Sequence, residues 1–263
     1  MISSNVNDPA KCVVLVPVAT HIEPACEAAL VELAKRGYTV RRVYGYAAID
    51  QARNEMAAAA LADGYEETLW IDSDISFEPR AVDRLRSHPG APGIVCGIYA
   101  RKAARALACH TLPETGRLVF GAEGGLTELL YAGAGFFLVR REVYAKIQER
   151  LALPACNNRF GTATVPYFQP MVVPDMQNST QPTGASPRLE HEPDASACRL
   201  IGGIQGHWYL PEDYAFCERA RQCGYKIMAD TTIRLWHHGS YGYSWEDAGK
   251  DQERYKTFYF NVA

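Results

Sequence analysis

The sequence predicts an α/β domain: a mostly parallel central sheet flanked by helices, with one long irregular loop. Two observations carry this. Short β-branched apolar runs alternate with helical spacings through the first hundred residues, the pattern of successive strand–helix–strand units. The chain is 48% hydrophobic and 22% charged, ordinary globular composition that can bury a sizeable core at this length.

The elements follow in order. Residues 13–18 are a β-branched strand. Residues 24–36 carry helical spacing (Ala25, Ala28, Ala29, Val31, Leu33), and Gly37 stops the helix. A second strand covers 39–44, and an Ala-rich helix covers 49–62 up to Asp63-Gly64. A third strand spans 68–71, a helix with Pro79 in its first turn spans 78–87, and a fourth strand spans 93–99. Beyond these, 118–120, 127–131 and 136–139 read as strands and 142–150 as a helix. Residues 212–223 form a helix between Pro211 and Gly224, and 231–236 a strand. Between them, 154–206 is rich in Pro, Gly, Ser, Asn and Gln, yet holds Tyr167, Phe168 and Met171. So long a loop in a compact domain predicts a functional lid or a disordered segment, and its large apolar residues favour the lid. The whole chain, 1–263, is expected to be one domain.

With 27 Lys and Arg against 30 Asp and Glu, the net charge of −3 gives no general attraction to nucleic acid. No apolar run is long enough to span a bilayer, and residues 1–11 lack the apolar core of a signal peptide. The expected compartment is the cytoplasm. Eight cysteines without a C-x-x-C pair read as reduced, largely buried thiols.

In such sheets, ligands bind beyond the carboxyl ends of the strands. Leu69-Trp70-Ile71-Asp72-Ser73-Asp74 places two carboxylates at such an end. If strand geometry continues, Asp72 and Asp74 share a face, and a hard cation would relieve their repulsion. Pro211-Glu212-Asp213 puts two acids in the first turn of a helix, where the dipole favours their charged forms. They could serve as simple caps or as a carboxylate base. In Trp236-His237-His238, His237 continues the face of Ile233 and Leu235 and could complete a cation's coordination. Arg53, near a helix start, suits a diphosphate. Tyr99 and Arg101 follow the fourth strand at the same edge.

Taken in order, these segments resemble a glycosyltransferase of the GT-A (Rossmann-like) fold, close to the family 2-like group. The matching pieces are 13–17, 49–54, the Asp-x-Asp of 70–74, 97–99, 133–141, the Glu-Asp of 211–214, and His237-His238-Gly239. The resemblance implies a nucleotide-sugar half over 12–101 and an acceptor half over 118–263. It also implies transfer from a UDP- or GDP-sugar to an acceptor hydroxyl with Mn²⁺ or Mg²⁺. The acceptor is unspecified: a glycan, a lipid-linked molecule, a protein or a small molecule. Asp74 would be the principal metal ligand, Asp72 would lie near ribose and metal, and His237 would be a further ligand. Asp213 would be the base of an inverting reaction, with Glu212 capping the helix or binding an acceptor hydroxyl. Gly133 and Gly135 would let the backbone approach the sugar, and Pro17 to Thr20 would border the base. Two competing expectations stand beside it. One is a phosphatase resembling the haloacid dehalogenase group, whose nucleophile motif Asp72-Ser73-Asp74-Ile75-Ser76 mimics. The other is a nucleotide-sugar-binding module without catalysis.

Overall fold

The computed structural model describes residues 8–90, 92–159, 161, 163–174, 207–249 and 257–262. In chain order the main elements are β1 (Cys12–Val18), α1 (Pro24–Lys35), β2 (Thr39–Tyr44), α2 (Ile49–Ala62), β3 (Glu67–Ile71), β4 (Ile75–Phe77), α3 (Arg80–Arg86) and β5 (Ile94–Cys96). There follow β6 (Cys109–Thr111), β7 (Arg117–Gly121), β8 (Leu126–Ala132), β9 (Phe136–Arg140), α4 (Arg141–Arg150), β10 (Met171–Pro174), β11 (His207–Leu210) and α5 (Glu212–Gln222). The remainder is β12 (Ile227–Asp230), β13 (Leu235–His238), β14 (Gly242–Tyr243), α6 (Trp245–Ala248) and β15 (Thr257–Asn261).

Eight strands form the central sheet in the order β2-β1-β3-β9-β5-β12-β8-β6. The pairs β1–β2, β1–β3 and β5–β12 are parallel. β9 runs antiparallel between β3 and β5, and β8 antiparallel between β12 and β6. Six strands thus run one way and two the other, so the sheet is mostly parallel, as the alternating pattern predicts. Side-chain alternation divides the core between two faces. Val13, Leu15 and Trp70 pack with Met56, Ala57 and Ala60 of α2, Tyr144 of α4 and Phe216 of α5. Val14, Val16, Leu69 and Ile71 pack with Leu30 and Leu33 of α1 and Val82 and Leu85 of α3.

Tyr144 ties helix to sheet. Its buried hydroxyl accepts from Trp70 Nε1 at 3.0 Å and lies 2.8 Å from Thr68 Oγ1. Tyr144→Phe leaves the indole N–H without that acceptor. It should cost about 1–3 kcal/mol of stability, read as a lower urea midpoint with unchanged slope.

Two sequence expectations are corrected. Most of the strand expected over 231–236 is the turn between β12, which ends at Asp230, and β13, which starts at Leu235. Asp230 Oδ1 accepts from Thr232 N at 2.9 Å and from its hydroxyl at 2.5 Å, a local bond that turns the chain. The β3 strand also stops at Ile71. Ile75 N donates to Asp72 O at 3.0 Å, so 72–74 is a turn and Asp72 and Asp74 do not share a strand face. Of the loop expected over 154–206, Val165, Tyr167 and Phe168 are buried in the core, and Phe168 N donates to Asn54 Oδ1 at 2.8 Å. Residues 175–206 lie outside the described residues. Among the described residues, no helix is long and apolar enough to cross a membrane.

Candidate functional site

The carboxyl ends of β1, β2, β3 and β5 meet at one edge, and β9 starts there, with Ile71 opposite Phe136. The glycine turn before β9 builds the floor. Asp72 N donates to Gly135 O at 3.1 Å, and Gly135 N donates to the Tyr99 hydroxyl at 3.1 Å. A Cβ on Gly135 would stand 2.7 Å from that hydroxyl and 3.0 Å from Asp72 Oδ2. Gly133 is packed as closely against Tyr99. Only glycine lets backbone and phenol come this near. Burial, then the charges of Asp72 and Asp213, push the Tyr99 phenol well above its ordinary pKa, so it remains a neutral donor and acceptor.

Arg53, in the first turns of α2, is 2% exposed. Its Nη2 donates to Asp72 Oδ1 at 2.7 Å, and its Nε lies 3.6 Å from Glu212 Oε1. The guanidinium also lies over the Trp70 ring, 5.4 Å from the centroid. Burial opposes its charge, but Asp72, Glu212 and Asp213 outweigh burial and raise its pKa. Its Nε and Nη1 are buried without a hydrogen-bond partner among the described residues.

Asp74 is turned to a different set of partners. Lys102 Nζ donates to Asp74 Oδ2, His237 Nε2 lies 3.6 Å from Asp74 Oδ1, and Asp74 O accepts from His238 N at 2.7 Å. Burial raises the pKa of Asp74, but its contacts with His237 and Lys102 prevail and lower it to about 2. His237 Nδ1 donates to Ala100 O at 2.9 Å, which leaves Nε2 toward Asp74, the arrangement of a metal-ligating histidine. His238 is turned away, with Nε2 2.6 Å from Ser76 Oγ. Among the described residues, no three His, Cys, Asp or Glu side chains converge as a cation site. Asp74 and His237 form a pair, which fits a cation completed by phosphate oxygens and water. Asp72, expected among the ligands, is engaged by Arg53 instead.

Asp213 sits in the first turn of α5, where Tyr214 N donates to its Oδ1 at 2.8 Å. The sequence reading has the helix dipole holding it ionised. Burial, then the neighbouring charge of Glu212, overcome that influence and the pull of Arg53, raising its pKa to about 7. Of the remaining expected residues, Pro17 is buried in β1 opposite Val43. Thr20 is exposed, with its hydroxyl 3.1 Å from His21 Nδ1. Arg101 is exposed, its N–H donating to Ala106 O at 2.8 Å.

Two residues of this edge escape the sequence reading. Lys102 belongs to a basic run, Arg101-Lys102-Ala103-Ala104-Arg105, whose charge was the available signal. Tyr46, between β2 and α2, has its pKa raised by burial and by the field of Asp72, Asp74 and Glu212, with Arg53 opposing. Beside α2, a cleft of about 400 Å³ is lined by Asp50, Asn54, Glu55, Asn157, Thr164 and Gln169.

No family model matches the chain, and no curated protein matches it. Among solved structures it is similar to A197 from STIV at 14% identity and a TM-score of 0.49, covering 87% of this chain and 85% of that one. A glycosyltransferase involved in the glycosylation of the major capsid of PBCV-1 aligns at 12% identity and a TM-score of 0.30, over 51% of this chain and 62% of that one. A 4-diphosphocytidyl-2C-methyl-D-erythritol synthase from Anaerococcus prevotii aligns at 11% and 0.28, over 59% and 82%. The functional reading is drawn from the site itself.

Proposed function

We propose that the chain is a glycosyltransferase of GT-A type, moving a sugar from a nucleoside diphosphate to an acceptor hydroxyl with inversion. One observation carries this: at a single strand edge, the paired Asp74 and His237 and the carboxylate Asp213, poised near neutral pH, lie about a glycine turn closed by Tyr99. Inverting transfer needs both, a place for the diphosphate and a base for the acceptor.

Asp74 and His237 would hold Mn²⁺ or Mg²⁺. When bound, the cation supplies charge neutralisation for the leaving diphosphate. Asp213 accepts the acceptor's proton as its oxygen bonds to the anomeric carbon and the sugar–phosphate bond breaks. Arg53 fixes Asp72 and Glu212, and so joins α2, the turn after β3 and α5 into one frame. Gly133 and Gly135, expected to let the backbone approach the sugar, instead bring it against the Tyr99 phenol, which closes the floor of the site. The acceptor class stays as broad as the resemblance left it, and the cytoplasm is the proposed compartment. Nothing in the site favours the phosphatase reading, since Asp72, which would be its nucleophile, is bound to buried Arg53.

The test is calorimetric titration with UDP, GDP and their sugars, with Mn²⁺, with Mg²⁺ and with EDTA. Binding should need the cation, and Asp74→Ala should abolish the metal-dependent binding with the fold intact. Unchanged affinity in Asp74→Ala removes the metal assignment. Hydrolysis of p-nitrophenyl phosphate without any nucleotide binding overturns the transferase reading.

A further inference from the structure

Four carboxylates, Asp72, Asp74, Glu212 and Asp213, gather at this edge, and a nucleoside diphosphate would bring more negative charge. Buried Arg53 is already shared between Asp72 and Glu212. The remaining positive charge comes from the segment after β5, which is folded as a hairpin. Arg101 N donates to Ala106 O and Ala108 N to Tyr99 O, both at 2.8 Å, and Ala100 bridges Leu107. Ala103, at φ 52°, makes the tight turn.

The hairpin's base is fixed to the site through Ala100 O, which accepts from His237. One of its cations meets the carboxylates directly. Lys102 reaches Asp74 Oδ2 along a path over Gly239, where a Cβ would stand 3.4 Å from Lys102 Cδ. Arg101, exposed and next in the chain, adds a second positive charge to the hairpin.

We infer that Lys102 is a ligand of the donor's diphosphate, held by Asp74 in this structure and passed to a phosphate oxygen when the donor binds, with Arg101 extending the same positive edge. This rests on the transferase reading. The exchange is chemically balanced. Asp74 and His237 would hold a divalent cation, which would neutralise the carboxylate that Lys102 now pairs with, and the Lys102 ammonium would exchange that carboxylate for a phosphate oxygen, an acceptor of equal charge type. A lysine on a four-carbon stem can make that move, since its three donors rotate freely and its charge is a point rather than a fixed fork. The Lys102 side chain is 37% exposed and Asp74 31%. A half-exposed ion pair of this kind holds its partners weakly, so little is lost when Lys102 changes acceptors. Lys102 would then neutralise charge on the leaving diphosphate from the protein side.

The test uses inorganic pyrophosphate, UDP and GDP in calorimetric titrations with Mn²⁺, against the parent chain, Lys102→Met and Lys102→Arg, with matched thermal transitions as the folding control. Lys102→Met should weaken pyrophosphate and nucleoside diphosphate binding by about tenfold or more. Lys102→Arg should restore most of the affinity, and raising the salt should narrow the gap between parent and Lys102→Met. Equal affinity in the parent and Lys102→Met, or equal loss in Lys102→Arg and Lys102→Met, overturns the role of Lys102 and leaves the transferase reading standing. Failure of the parent to bind any of the three diphosphates with Mn²⁺ or Mg²⁺ overturns both.

Discussion

Asp213→Asn is expected to lower kcat by about 10²–10⁴-fold while leaving nucleotide-sugar and metal affinity near those of the parent. An acceptor hydroxyl is a poor nucleophile until its proton leaves as the new bond forms. A base serves best when its pKa lies near the working pH, and burial together with Glu212 brings Asp213 up to about 7. The amide keeps the shape and can still accept from Tyr214 N, so what disappears is proton acceptance and not the donor site. In the parent, kcat/KM should climb as pH rises through about 7, as Asp213 loses its proton, and that limb should vanish in the variant. NMR of the first-formed product should show an inverted anomer. Near-normal turnover of Asp213→Asn on a working acceptor, or a retained anomer, would remove Asp213 as the base.

The same raised pKa has a consequence for stability. An acid whose pKa goes up on folding holds its proton more tightly in the native state. Its contribution is therefore complete below the ordinary value of 3.8 and is lost as pH rises through about 7. Asparagine carries no such penalty. Asp213→Asn should thus unfold at a higher temperature than the parent at pH 8 and lose that advantage at pH 4. A variant that is less active and more stable is the pattern expected where a site holds a charge in an unfavourable place.

The sheet and most helices were legible because their signals are local. β2 and α2 fall on the expected residues, 39–44 and 49–62, since β-branched runs and an Ala-rich stretch declare themselves without neighbours. What was not legible depended on partners distant in sequence. The turn at 72–74 looks like continuing strand until β4 pairs with β13, with Ile75 opposite His237. The chain is then held in a second small sheet that bends Asp74 away from Asp72. The partner of Asp72 lies 19 residues back in α2, and no periodicity announces an arginine that will be buried. Asp213 shows the limit of local reasoning most clearly. Its place in a helix's first turn argues for easy ionisation, while burial, which only the fold supplies, and then the charge of the adjacent Glu212 decide the opposite.

Replacing that arginine should have the largest effect on the fold itself. Arg53→Met removes the one guanidinium between Asp72 and Glu212, whose side chains are 30% and 17% exposed. Leaving charges without their buried partner costs far more than the pair is worth against an apolar substitute, about 3–5 kcal/mol. Methionine keeps the apolar contact with Trp70 but not the charge, so the loss reports electrostatics more than packing. Adding Asp72→Asn to Arg53→Met should recover part of the stability, because it removes a charge that has lost its partner. Donor binding should fall in both variants, since α2, the β3 turn and α5 are no longer held to one another. Urea unfolding of the three proteins measures the stability differences, and calorimetric titration with UDP or GDP and Mn²⁺ measures donor binding. If Arg53→Met unfolds at the parent's midpoint at pH 8, the guanidinium does not organise the site, and the frame must rest on the Tyr99–Gly135 contacts alone.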